Sequence, residues 1–224
     1  MLAFSLESTH HQFGHGVAAS PRSIIVPLVV LALILFTVKY FSVIAHESAH
    51  AIAGWVMGRK VAGVKINSDA TGETRTLGAD KGLGRIFTAF VGYLGPSFFG
   101  LGAAVLISMG YARAVLWLAL LLLTLILFRV RNLFGVASVL ANGALFVFIL
   151  SHVSPKLQVT AAYVLSWLLL LSGVGVVLTH GSDAGDAATL RRITHLPRFL
   201  WSLLWLVITV AALAAGARLL TRPA

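Results

Sequence analysis

The chain has 224 residues, 58% hydrophobic and only 11% charged, whereas ordinary soluble domains are about 25% charged. It has no cysteine, which excludes disulfides, thiolate metal sites and cysteine nucleophiles. A net charge of +10 would suggest nucleic acid in a soluble protein. Here the cations flank apolar runs, so they indicate membrane orientation and anionic lipid headgroups, and no nucleic-acid partner is expected.

Residues 1–23 form a polar tail. They lack the basic start and apolar core of a secretory signal, and His10, His11 and His15 within them read as surface. Residues 24–220 read as one integral-membrane domain, all-α and polytopic. About six transmembrane helices and a hairpin-like cytoplasmic loop are expected. The first apolar run goes from Ile24 to about Val56. As one straight helix it would reach about 50 Å, well past a hydrocarbon core of about 30 Å. The reading is a span over 24–44 that continues, straight or broken, into a further helical segment. The next stretch, "GRKVAGVKINSDATGETRTLG", is polar, alternates at "VAGVKIN" and contains turn residues, as a β-hairpin or loop does. Further spans are expected at about 85–108, 113–128, 132–150, 159–179 and 199–220.

Lysine and arginine counts orient these spans. The loop after the first helix holds Arg59, Lys60, Lys65, Arg75, Lys81 and Arg85. Arg129 and Arg131 separate the third and fourth spans, and Arg191, Arg192 and Arg198 the fifth and sixth. Six spans put all of these on one face, which is therefore cytoplasmic. Arg22, Arg113, Lys156, Arg218 and Arg222 fall on the other.

The chemistry is concentrated in "FSVIAHESAHAIAGWV", Phe41–Val56. Two histidines and a glutamate inside an apolar run cost several kcal/mol each unless something compensates. His46-Glu47-Ser48-Ala49-His50 is an H-E-x-x-H pattern. On a helix its histidines lie one turn apart on one face and can share one Zn²⁺, while Glu47 can reach water beside the metal. The plain alternative is a pair of core histidines. Against it, Glu47 has no cation near it on its own helix face except Lys39, two turns earlier. A catalytic zinc takes three protein ligands and leaves one position for water. His180, Asp183, Asp186 and His195 lie on the same side as the motif; His152 lies on the other. The segment "GSDAGDAATL" also reads as a helix start, with Ser182 or Asp183 as cap and Asp186 in the first turn. In "GYLGPSFFGLG", Gly92, Gly95, Gly100 and Gly102 allow close helix approach, and Pro96 can kink the span. Asn132 and Asn142 are polar groups expected to face the interior, holding either substrate backbone or a neighbour.

These residues resemble the site-2 protease superfamily, and most closely its small M50B-like membrane metallopeptidases. The resemblance rests on H-E-x-x-H in a membrane helix, the basic hairpin-like loop, "GYLGPSFFG" and "SDA" at 182–184, and covers about 40–205. It implies zinc-dependent cleavage of membrane-embedded or juxtamembrane protein substrates, with Glu47 as catalytic base and one Zn²⁺ per chain. The "SDA" match carries the third-ligand role to Asp183, with Asp186 as the alternative. The family's ligand aspartate typically stands in an "LDG"-like motif of a later core span; here the comparable span reads "VLANGALFVF", with Asn142 and no acid. The expected location is the cell (plasma) membrane with the active site near the cytoplasmic side, and the expected partners are the bilayer and a membrane protein substrate. A second reading is a non-proteolytic metal-binding regulatory membrane protein of the same fold. A metal transporter ranks behind both, because Lys39 and the two asparagines are nearly the only further polar groups along the spans.

Overall fold

The computed structural model describes the backbone of residues 21–180 and 185–222, and side chains from Phe36 onward save Val38 and His180. The chain divides into two compact units, Met1–Leu35 and Phe36–Ala224. The first contributes the N-terminal part of helix α1 (Pro21–Val56). The second holds the rest of α1 and all further elements: strands β1 (Lys60–Ile66) and β2 (Gly72–Leu77), then α2 (Leu83–Ser108), α3 (Ala112–Leu127), α4 (Leu133–His152), α5 (Pro155–His180), α6 (Asp186–Thr194) and α7 (Arg198–Leu220).

Local chemistry sets the boundaries. Gly58, with φ of 68°, follows the end of α1, and Gly110, with φ of 85°, follows α2; both supply the left-handed turn that ends a helix. Pro155 opens α5 at a position where its missing N–H costs nothing. His195 closes α6 in the left-handed region, two residues before Pro197.

Four helices among the described residues, α2, α4, α5 and α7, are long and apolar enough to cross a membrane. Helix α3 is equally apolar but has 16 residues, about 24 Å, shorter than a hydrocarbon core of about 30 Å. Four of the about six expected spans are thus accounted for; the one expected over 24–44 lies largely outside the residues whose side chains are described, and α3 is short for a crossing.

Helix α2 is the hub, packed against α3, α5, α6 and α7. Hydrocarbon offers no hydrophobic drive between helices, so close approach depends on small residues. A Cβ on Gly100 would meet the backbone nitrogen of Leu170 on α5 at 2.8 Å, and one on Gly95 would meet the carbonyl oxygen of Ala45 on α1 at 2.9 Å. Pro96 is accommodated inside α2 and buried. The larger apolar cluster joins Phe41 and Ile44 of α1, Val64 and Ile66 of β1, Leu116 and Leu123 of α3 and Leu170 of α5. A smaller one centres on Trp205 of α7, with Tyr93 and Leu94 of α2 and Leu190 of α6.

The expected hairpin is present. Strands β1 and β2 are antiparallel, with Val64 opposite Thr74 and Ile66 opposite Gly72, and a register shift between Val61 and Gly63. The outer edge of β1 is tied to the α3–α4 connection. The Val64 N–H donates to the Arg129 carbonyl at 2.8 Å, and the Arg131 N–H donates back to Val64 at 2.9 Å. Asn132 completes this edge: its Oδ1 accepts from the Ile66 N–H at 3.1 Å and its Nδ2 donates to the Ile66 carbonyl at 2.7 Å. The outer edge of β2 has no strand partner among the described residues. Asp186, at the start of α6, touches the α1 histidines. Three connections expected on one face thus meet at one end of the bundle.

Candidate metal centre

The H-E-x-x-H residues are helical, as their spacing requires. His46 Nε2 and His50 Nε2 stand 3.1 Å apart. The third group comes from the other end of the chain: Asp186 Oδ2 is 2.9 Å from His50 Nε2 and 3.5 Å from His46 Nε2. Four ligands about 2.0 Å from a tetrahedral ion lie about 3.3 Å from one another, so this triangle has the size of one face of such a site.

The tautomers point the same way. His50 Nδ1 lies 2.7 Å from the Thr88 carbonyl, which can only accept. Nδ1 therefore carries the proton and Nε2 presents a lone pair. Thr88 is itself fixed by its hydroxyl donating to the Gly84 carbonyl at 2.7 Å. A His46 tautomer with its proton on the buried, unpartnered Nδ1 presents a second Nε2 lone pair. Two imidazole lone pairs and a carboxylate oxygen converging in a sheltered place repel one another unless a cation sits among them. The donor set fits a divalent metal.

The surroundings hold this geometry. A Cβ on Gly92 would fall on the His50 imidazole, so only glycine leaves room for that ring. The His46 ring meets Tyr93 edge-on at 4.9 Å. Tyr93 in turn stacks at 4.3 Å on Trp205, whose Nε1 donates to the Phe90 carbonyl at 2.9 Å. Asp186 is delivered by α6, which buries Ala187 and Leu190 while Arg191 and Arg192 stay exposed. Its carboxylate sits in the first turn of that helix, where the helix dipole favours a negative charge.

Glu47 is 3% exposed. Its Oε2 accepts a hydrogen bond from the Thr74 hydroxyl of β2 at 2.6 Å. Glu47, both histidines and Asp186 line one cavity of about 540 Å³, together with hairpin residues 70–76, Arg85, Tyr93, Val176 and Thr189. Another cavity, of about 600 Å³, lies among α2, α3 and α5 and is lined by apolar residues and Gly102; it offers no reactive group.

The sequence-expected residues are thus partly assembled. His46, Glu47, His50 and Asp186 come together. Asp183 lies outside the described residues, as do His10, His11, His15 and the His180 side chain. His195 ends α6, exposed, apart from the cluster. His152 stacks on Phe148 at 5.2 Å. Neither asparagine lines the cavity: Asn132 binds the β1 edge, and Asn142, 0% exposed, donates to the Ser138 carbonyl one turn back at 2.9 Å. Thr74, Gly72, Thr88 and Tyr93 support the site without having been singled out for it. Only Gly92 and Tyr93 carried a local signal, as part of the glycine-rich stretch.

Among curated proteins and among solved structures, none matches the chain. A protein-family model described as peptidase M50B-like matches residues 23–216, a stretch that contains the histidine pair, Glu47, the hairpin and Asp186. The match spans most of the chain, which belongs to the peptidase M50B-like family.

Proposed function

We propose that the protein is an intramembrane zinc metalloendopeptidase acting on membrane-embedded or juxtamembrane protein substrates, in the cell membrane and near its cytoplasmic face. The observation that carries the reading is the convergence of His46, His50 and Asp186 on one point beside a separate buried carboxylate, Glu47, in a polar cavity. His46, His50 and Asp186 would hold one Zn²⁺, which supplies a Lewis acid for the scissile carbonyl and acidifies water. Glu47 has the role of base. It accepts a proton from the water that attacks the carbonyl carbon, then delivers it to the amine nitrogen as the C–N bond breaks. A helical peptide bond is shielded by its own hydrogen bonds, so the substrate must be extended. The free edge of β2 beside the cavity suits an extended chain added as a further strand. The basic residues around this end of the bundle support the cytoplasmic orientation.

The test compares wild type with Glu47→Gln in purified, bilayer-reconstituted form against a panel of membrane proteins. Glu47→Gln keeps size and a hydrogen-bonding oxygen but cannot take the proton. It should retain zinc while turnover falls at least about 100-fold, within the usual range for general-base catalysis. Equal cleavage by both proteins, with zinc verified in each, would remove Glu47 from the role. Cleavage by neither would favour metal binding without proteolysis.

A further inference from the structure

The structure points to a positioning residue that lies outside the H-E-x-x-H helix: we propose that Thr74 of β2 holds the Glu47 carboxylate in place, making the hairpin part of the catalytic centre. This rests on the peptidase reading above. The Thr74 hydroxyl stands 2.6 Å from Glu47 Oε2 and 3.1 Å from the Glu47 carbonyl oxygen. A hydroxyl has one proton to give, and the shorter contact, to an ionised acceptor, is the stronger bond. No other hydrogen bond to the Glu47 carboxylate exists among the described residues, so its second oxygen, which lies against Gly72 in the cavity lining, has no donor of its own.

The strand is shaped around this contact. Alternation puts Gly72, Thr74 and Thr76 on one face of β2, and all three meet α1. A Cβ on Gly72 would run into the Glu47 carboxyl. A Cβ on Gly54 of α1 would come 2.9 Å from the Thr76 methyl. Glu47 and Gly54 are two helical turns apart, so β2 runs along one stripe of α1. Glu73 and Arg75 point away and are exposed. A glutamate has three side-chain torsions, and unrestrained it samples several rotamers. A misplacement of about 1 Å at a reacting group costs up to about 100-fold. Since β2 also carries the free edge, a peptide paired to it is set in register with the base by the same strand.

Two substitutions separate positioning from bulk. Thr74→Val keeps shape and β-branching and removes the hydroxyl; Thr74→Ser keeps the hydroxyl. Thr74→Val should lower kcat about 10–100-fold with KM and zinc content unchanged, and Thr74→Ser should stay within about threefold of wild type. Wild-type kcat in Thr74→Val, a change in KM alone, or equal impairment in Thr74→Ser overturns the proposal. A second readout needs no cleavage. Thr74→Val should lower Tm by about 5 °C in the wild-type background and by clearly less in Glu47→Met, where the carboxylate is gone and only the residue-47 backbone carbonyl, 3.1 Å away, is left to accept. Equal losses in both backgrounds overturn the link. If wild type cleaves no substrate while this coupling is found, the peptidase reading fails and the Thr74–Glu47 link stands.

Discussion

Gly92→Ala tests whether the His50 pocket is a metal site without touching a ligand. The added Cβ would fall on Nε2 and Cε1 of the His50 ring. Helix α1 cannot back away freely, because Gly95, one turn on, already brings α2 against Ala45 and Ala49. The ring has to turn. An off-rotamer imidazole costs about 0.5–1.5 kcal/mol, and the lost bond to the Thr88 carbonyl a further ~0.5–1.5 kcal/mol. Replacing glycine by alanine inside a helix returns about 0.5–1 kcal/mol. Net stability should therefore fall by no more than about 2.5 kcal/mol, and the protein should fold. Metal affinity should respond far more. Disturbing even an outer-shell partner costs about 10–100-fold, and here the ligand nitrogen itself is turned from Asp186 and His46. Chelator competition on purified protein should show at least about a 100-fold loss in zinc affinity. Gly102→Ala is the control, since a Cβ there meets nothing within 4 Å; it should bind zinc as wild type does. Wild-type zinc affinity in Gly92→Ala would refute the assignment of His50 Nε2 as a ligand.

Elemental analysis should find about one zinc per chain, reduced to background in His46→Ala and in His50→Ala; unchanged zinc in both would remove the site. Asp186→Ala should lose the metal while Asp183→Ala keeps it, and the reverse result would return the third position to Asp183. Asn132→Leu deletes both side-chain bonds to the Ile66 backbone. It should lower stability by about 1–3 kcal/mol, read as a lower Tm and faster nicking of the hairpin by added protease. Unchanged protection would mean that Arg129 and Arg131 hold the strand without it.

What was legible in the sequence follows from the range of the interactions. Spans are written in long apolar runs, and the hairpin in the alternation of "VAGVKIN", so both were found. Helix α3 was also placed to within a residue, but hydropathy does not say that Arg129–Arg131 leave it to pair with β1. The His46–His50 pair is a local helical fact. Its third partner is not, and charge asymmetry reduced the choice to four residues on one face. Choosing between Asp183 and Asp186 needs the backbone path through Gly185, whose φ of 73° starts α6, and no periodicity encodes that. Asn132 and Asn142 looked alike as polar residues near apolar runs. One is paired across the chain with Ile66 and the other with its own helix, a difference set entirely by tertiary placement. Glu47 marks the same divide within a single motif. The base role proposed for it is suggested by its position between the two histidines, but the group that holds it lies in "GETRTL", where nothing local distinguishes Thr74 from Thr76. An H-E-x-x-H helix sets two histidines and a carboxylate along one turn; the carboxylate that joins the histidines and the hydroxyl that holds Glu47 come from α6 and β2, which the fold brings to it.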